Sequence, residues 1–377
     1  MIRNLKHKVA IAAVAMSTIG AGSAFAVFQQ FRGPAALTVG DGRIGPRDMV
    51  WIPHEQFLMG SNHRQAQRNE GPAHEVRLSG YWIDRHDITN AEFAQFVAAT
   101  GYVTTAEQKP KWKDLAAQLP PDTPEPDDSL LVPGAMVFAG TDEPVPLDDY
   151  SRWWKFVPGA SWKHPMGPDS SISGKENHPV VQVSYEDATA YAKWAHKRLP
   201  TEAEWEFAAR GGLEQADYSW GAELAPGGKK MANTWDDGAQ PFPVAARIGS
   251  TEKVQIGTTP VGSYAPNGYG LYDMAGNVWQ WVGDWYRADA FRIEAAAAKI
   301  STNPQGPRDS FDPTVQGAVY APSRVTRGGS FLCSETYCTS YRTSARRGTD
   351  PMNGMSHLGF RLAMDETQWE RSSEKTR

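Results

Sequence analysis

Residues 178–212, HPVVQVSYEDATAYAKWAHKRLPTEAEWEFAARGG, are where the fold is most legible. Ser184 stands three residues before Asp187, and Thr201 three before Glu204. In each pair the first side chain accepts a backbone N–H three residues on and the second reaches back, so a helix start satisfies two orphan donors at once. The first pair opens a helix over DATAYAKWAHKR, with Ala188, Tyr191, Ala192 and Ala195 on its buried stripe and Pro200 as its end. The second opens EAEWEFAARGG, closed by Gly211 and Gly212. Upstream, Thr89 and Glu92 open AEFAQFVAATG in the same way, with Phe93, Phe96 and Val97 on one face and Gly101 as the stop. Short strands are expected at 49–52, 76–78 and 180–183.

Outside these segments periodic runs are scarce. The 35 Gly, 27 Pro and 14 Trp point to a fold rich in turns and irregular backbone, held by large aromatic side chains. Residues 109–168, rich in Pro, Asp and Trp, read as a long ordered loop packed on the domain, because Trp153, Trp154 and Trp162 are costly to leave in water. The formal charge of −5 and the lack of any basic run downstream exclude a nucleic-acid binder driven by phosphate neutralisation.

The first 26 residues have the three parts of an export signal: the basic start MIRNLKHK, the apolar stretch VAIAAVAMSTIGAGSAFA, and small residues at Ala24 and Ala26. This organisation implies a signal peptide over 1–26 cleaved after Ala26, a linker over 27–45, one domain over 46–365 and a tail over 366–377. The expected compartment is the bacterial periplasm. The alternative is an uncleaved anchor, the only case in which the chain would contact a membrane.

Cys333 and Cys338 are the only cysteines. In an oxidising compartment their default reading is one structural disulfide. Yet a chain this large does not need a staple, and so short a closed loop restricts the unfolded state little.

Several segments carry a resemblance. They are MVWIPHEQFLMGS, the 178–212 stretch, NGYGLYDMAGNVWQW, RGGSFLCSETYCTSYRTSARR and SHLGFRLA. Together, in order and across roughly residues 46–365, they resemble the sulfatase-modifying factor, or formylglycine-generating enzyme, family. LPTEAEWE and GNVWQW are shared with relatives of other activities, so the cysteine-bearing segment discriminates. The resemblance implies an α+β, single-domain, C-type-lectin-like fold of low regular secondary-structure content, stabilised by calcium. It also implies the activity: a cysteine in a Cys-x-Pro-x-Arg motif of an extended sulfatase polypeptide is converted to Cα-formylglycine, using O₂, copper(I) and a thiol reductant.

Copper(I) is soft and prefers thiolates, so Cys333 and Cys338 are the expected copper ligands, with the substrate cysteine as a third. By the same resemblance Ser330, Tyr337, Trp279 and Arg346 line the pocket. Ser330 and Tyr337 would hydrogen-bond thiolate, oxygen or water; Trp279 would exclude water; Arg346 would bind the substrate backbone or a carboxylate. His357 stands where the family commonly has asparagine near the substrate, and it adds a pH dependence. One calcium site maps onto Asp273, the carbonyls of Gly276 and Val278, and Gln280. A second uses Asn233 and the Thr234 carbonyl, with Lys253 and Glu252 where an acidic ligand is expected. Two other readings stay open: a periplasmic relative with a different oxidation, such as siderophore maturation, and a non-catalytic lectin-like binding module.

Overall fold

The three reciprocal helix caps all form. At each, Thr89, Ser184 or Thr201 accepts a backbone N–H from the third residue on, and Glu92, Asp187 or Glu204 accepts the N–H of the cap residue. The computed structural model describes residues 37–374 apart from 117–118, 120–121, 240, 246–255, 298 and 314–320. The expected export signal, Glu252 and Lys253 lie outside the described residues.

In chain order the elements are β1 (Met49–Ile52), β2 (Glu55–Met59), β3 (His74–Leu78), β4 (Tyr81–Asp84), α1 (Asn90–Thr100), α2 (Trp112–Ala116), β5 (Gly134–Phe138) and β6 (Trp154–Pro158). There follow α3 (Tyr185–Trp194), α4 (Glu202–Arg210), β7 (Trp279–Trp285), α5 (Ala290–Ala296), β8 (Ser301–Thr302), β9 (Arg324–Arg327), β10 (Arg346–Thr349), β11 (Leu358–Phe360), β12 (Ala363–Asp365) and α6 (Glu366–Glu374). The content is 21% helix and 20% strand, below the usual helical share and in keeping with the expected low regularity.

Four small sheets carry the strands: β1-β4-β12, β10-β9-β7-β11, β2-β3-β8 and the β5-β6 hairpin. In the second, β7 is central, antiparallel to β9 and parallel to β11. Two large apolar clusters fill the interior, one around Trp205 and the other around Phe93, Trp162, Trp279 and Trp281.

Several local expectations need correction. Residues 180–183 are buried but form no strand, because Gln182 sits at φ 60°, a left-handed turn that breaks extended pairing. The helix from Ser184 ends at Trp194 rather than at Pro200, since His196 turns left-handed (φ 54°) and Lys197 N–H closes back on Ala192 O at 2.9 Å. The stretch 109–168 is not all loop. It contains α2 and the β5-β6 hairpin, while Trp153 and Trp162 are buried as expected. The end of the expected linker is docked: Gly40 N–H donates to Met49 O at 2.8 Å, and Gly45 lies so close to the Trp82 ring that an added Cβ would come within 2.1 Å of it. The expected tail begins with α6, whose Trp369 packs on Met49, Trp82 and Met364.

Candidate active site

Alternation along β10 decides which of two adjacent arginines faces which side of the sheet. Arg346 is in register with Arg327 of β9, which pairs with Gln280 of β7. Arg347 is in register with Thr326, which pairs with Trp281 of β7. The first row looks toward α4 and the second toward the cluster that holds Trp279 and both cysteines.

The α4 side is a closed ionic network, with all nine residues of that helix buried. Arg346 Nε and Nη2 donate to the two Glu202 oxygens at 2.6 Å each, and its Nη1 donates to Arg287 O at 2.7 Å. Arg327 joins Glu202 (2.9 Å) to Glu206 (2.6 Å), and Arg210 completes Glu206 at 2.7 Å. Burial first, then the Glu202 charge, pushes the nearby Asp284 carboxyl well above the usual carboxylate range. Arg346, expected to bind substrate, here faces α4 and Glu202 instead of the cysteines. Its guanidinium is buried and its fork is already spent on Glu202.

On the opposite side β9 leads through Gly328 and Gly329 (φ 90° and 69°) into the cysteine turn. Gly329 is required there, because a Cβ would stand 2.9 Å from the Tyr341 backbone and 3.1 Å from Cys333 Sγ. Cys333 N–H donates to Ser330 O (2.9 Å) and Cys338 N–H to Ser334 O (3.0 Å). These two tight turns bring the Cα atoms to 4.6 Å, and the sulfurs are joined as a disulfide. Cys333 is buried and Cys338 is half-buried, so the pair has an inner and an outer member.

Ser330 Oγ lies 2.9 Å from His357 Nδ1 and also accepts the Leu332 N–H at 3.2 Å. Burial, reinforced by the Arg347 charge, holds the His357 imidazole well below its usual pKa. A neutral ring carries one N–H and one bare nitrogen, so Nδ1 and Ser330 Oγ share a single hydrogen bond whose donor is set by the imidazole tautomer. His357 O in turn accepts the Trp279 N–H at 2.8 Å, and the Trp154 ring sits 4.7 Å from the imidazole. Tyr337 is exposed at the rim, its ring stacked 4.6 Å from Phe242 and edge-on to Trp153 at 5.6 Å.

Ser330, Cys333, Cys338, Trp279 and His357 thus converge, with Tyr337 at the edge. Trp154 and Arg347 join them without having been singled out in the sequence. Trp154 comes from a hairpin with no alternating apolar signal, whereas the RRGT pattern of β10 did contain the clue that neighbouring arginines face opposite ways.

Because the imidazole is held neutral, His357 does not titrate near pH 7. Below about pH 6.5 the unfolded chain takes up a proton that the folded chain resists, so stability falls with acidification. Urea midpoints measured between pH 5 and 8 are expected to drop less in His357→Asn than in the wild type. Parallel curves would refute the burial of a neutral ring.

The expected calcium ligands are already engaged. Calcium takes six to eight oxygens. Gln280 Oε1 accepts from Trp205 Nε1 (2.7 Å) and Arg361 Nε (2.8 Å), and its amide nitrogen donates to Asp273 O at 2.8 Å. Both lone pairs of the amide oxygen are used. Asp273 accepts the Gly262 N–H at 2.8 Å, Val278 is fully buried, and Gly276 lies against the Asn233 backbone. At the other location the Lys230 ammonium occupies the Thr234 carbonyl at 2.7 Å, and the Asn233 amide donates to Gly257 O at 2.9 Å. In this arrangement an ammonium already engages the Thr234 oxygen and a guanidinium the Gln280 oxygen, so these two oxygens are not free for calcium. Excess EGTA is expected to shift the thermal midpoint by less than about 2 °C. A site held at 100 times its Kd would contribute about 2.7 kcal/mol. Stoichiometric calcium in the purified protein, or a clear drop with chelator, would count against this.

A family model described as sulfatase-modifying factor enzyme 1-like domain matches residues 35–366. The chain is 46% identical over 321 residues to a formylglycine-generating enzyme of Thermomonospora curvata, covering 85% of this chain and 94% of that protein. It is 44% identical over 324 residues to a protein of the same name from Mycobacterium tuberculosis, covering 84% and 98%. Among solved structures, PvdO from Pseudomonas aeruginosa matches with a TM-score of 0.52 at 21% identity, covering 89% of this chain and 99% of that one, a likeness of fold alone.

Proposed function

The chain belongs to the sulfatase-modifying factor family, and on that premise we propose that it converts a cysteine in a sulfatase Cys-x-Pro-x-Arg segment to Cα-formylglycine, with copper(I) held by Cys333 and Cys338. The observation that carries this reading is the convergence of the two sulfurs, one buried and one half-exposed, beside a buried Ser330–His357 pair. In their oxidised form the sulfurs bind no metal. A thiol reductant opens the bridge by exchange, and attack is easier at the outer sulfur, Cys338.

Once reduced, two adjacent thiolates suit a soft monovalent ion, and they leave room on the Cys338 side for a third. Copper(I) bound there supplies affinity for the substrate thiol and reactivity toward O₂. The chain's own residues set the surroundings. Trp279 and Trp154 wall off bulk water, Ser330 and the neutral His357 share one buried hydrogen bond, and Tyr337 lines the entrance. The reaction turns the cysteine CH₂–SH into an aldehyde CHO with sulfide released, a two-electron oxidation; O₂ takes up four electrons to become water, and the other two come from two equivalents of the thiol reductant, which leave as disulfide. Its partners are an extended sulfatase polypeptide, O₂ and a thiol.

We place the protein in the periplasm on the strength of its first 26 residues. Among the described residues no helix is long and apolar enough to cross a membrane.

The test incubates the protein with copper, a thiol reductant and a Cys-x-Pro-x-Arg peptide under O₂, with mass spectrometry for the aldehyde. Aldehyde formation that stops without copper or without O₂ is expected. Unchanged peptide with metal shown to be bound would sink the proposal.

A further inference from the structure

We propose that Arg347, the neighbour of the arginine singled out in the sequence, selects the substrate by pairing with an acidic side chain that flanks the target cysteine. The inference rests on the function proposed above and names a preference of the same site.

Three observations carry it. First, the β10 register places Arg347 on the sheet face of Trp281 and Trp279, and its guanidinium lies 5.9 Å from the Trp279 ring centre. It therefore borders the wall of the cysteine pocket. Second, the side chain is exposed, yet enough protein surrounds it for desolvation to lower its pKa. Solvent contact combined with desolvation describes a group in a cleft rather than on a convex surface.

Third, the guanidinium has no carboxylate partner among the described residues. The groups that interact with its charge are the phenols of Tyr337 and Tyr150 and the imidazole of His357. The contrast with the other face is sharp, where Arg210, Arg327, Arg342 and Arg346 each hold a buried glutamate. A partly desolvated cation with five free donors beside the Trp279 wall of the cysteine site is matched by a carboxylate, in a fork-to-fork pair. The same charge repels lysine or arginine, so the arginine of the motif is directed away from β10.

The test uses three peptides that carry the motif and differ only in one flanking residue, Glu, Gln or Lys, with the target cysteine replaced by serine so that no turnover is needed. Fluorescence anisotropy gives Kd for wild type, Arg347→Gln and Arg347→Glu, each checked for an unchanged thermal midpoint. At one or more flanking positions, wild type is expected to prefer Glu over Lys by about tenfold or more, the size of one charge-assisted hydrogen bond. Arg347→Gln brings the ratio near one, and Arg347→Glu reverses it.

Equal wild-type affinities at every flanking position, or a Gln variant that weakens all three peptides alike, would overturn the assignment. Turnover of the matching cysteine peptides is scored separately. A charge preference without aldehyde would leave the selectivity of Arg347 standing and remove the oxidation; aldehyde without a charge preference would do the reverse.

Discussion

Arg346→Ala is expected to lower the unfolding free energy by about 3–5 kcal/mol, the cost of stranding a buried charge, while Arg347→Ala changes it by less than about 0.5 kcal/mol, as for exposed sites. The difference follows from what each guanidinium touches. Removing Arg346 takes two 2.6 Å bonds from Glu202 and leaves that carboxylate with Arg327 alone, beside the buried Asp284. It also empties the space against Phe291 and Tyr286, over which the guanidinium lies at 4.4 and 5.1 Å. Arg346→Lys restores charge without the fork, so it should recover only part of the loss. Urea denaturation of the three variants decides the matter. If Arg346→Ala unfolds at the wild-type midpoint and instead loses peptide affinity, its role is recognition after all.

The second large effect concerns the sulfurs. Cys338→Ser is expected to lower turnover by more than about 100-fold, beyond what loss of a supporting residue around a metal typically costs. Stability should fall by no more than about 2 kcal/mol, because the bridge closes a loop of a few residues. Competition with a copper(I) chelator should show the high-affinity site gone in the same variant. Cys333→Ser should behave alike for copper. It should cost more stability, since Cys333 is buried within the cluster of Trp279 and Tyr341. Turnover retained in Cys338→Ser would refute the thiolate pair as the reactive centre, whatever the peptide assays show.

Both expectations depend on distinguishing a residue's type from its surroundings, and here sequence and structure contributed unequally. The helix starts at Thr89, Ser184 and Thr201 were legible because a reciprocal cap spans three residues and needs nothing from elsewhere. The approach of Cys333 to Cys338 was expected as a disulfide or from the family resemblance, whereas the two tight turns that produce it, Cys333 N–H to Ser330 O and Cys338 N–H to Ser334 O, came only with the structure. Residues 180–183 misled because an apolar run reads as a strand by composition, while one left-handed residue, Gln182, forbids it. The hairpin that delivers Trp154 to His357 was hidden because its strands do not alternate apolar with polar residues and are joined by a 15-residue connection.

What the sequence determined by itself was the set of local decisions: three capped helices, a cysteine pair and a family of segments in order. What only the tertiary structure decided was the partner of each charged or amide group, and with it the role. Arg346 meets a glutamate 144 positions away, Gln280 meets a tryptophan 75 away, and Ser330 meets a histidine 27 away. The physical reason is range. A cap is made between atoms that the chain itself holds together, but a guanidinium takes its meaning from whichever carboxylate the folded sheet sets opposite it, and the two-residue pleat of β10 sends adjacent arginines to opposite fates.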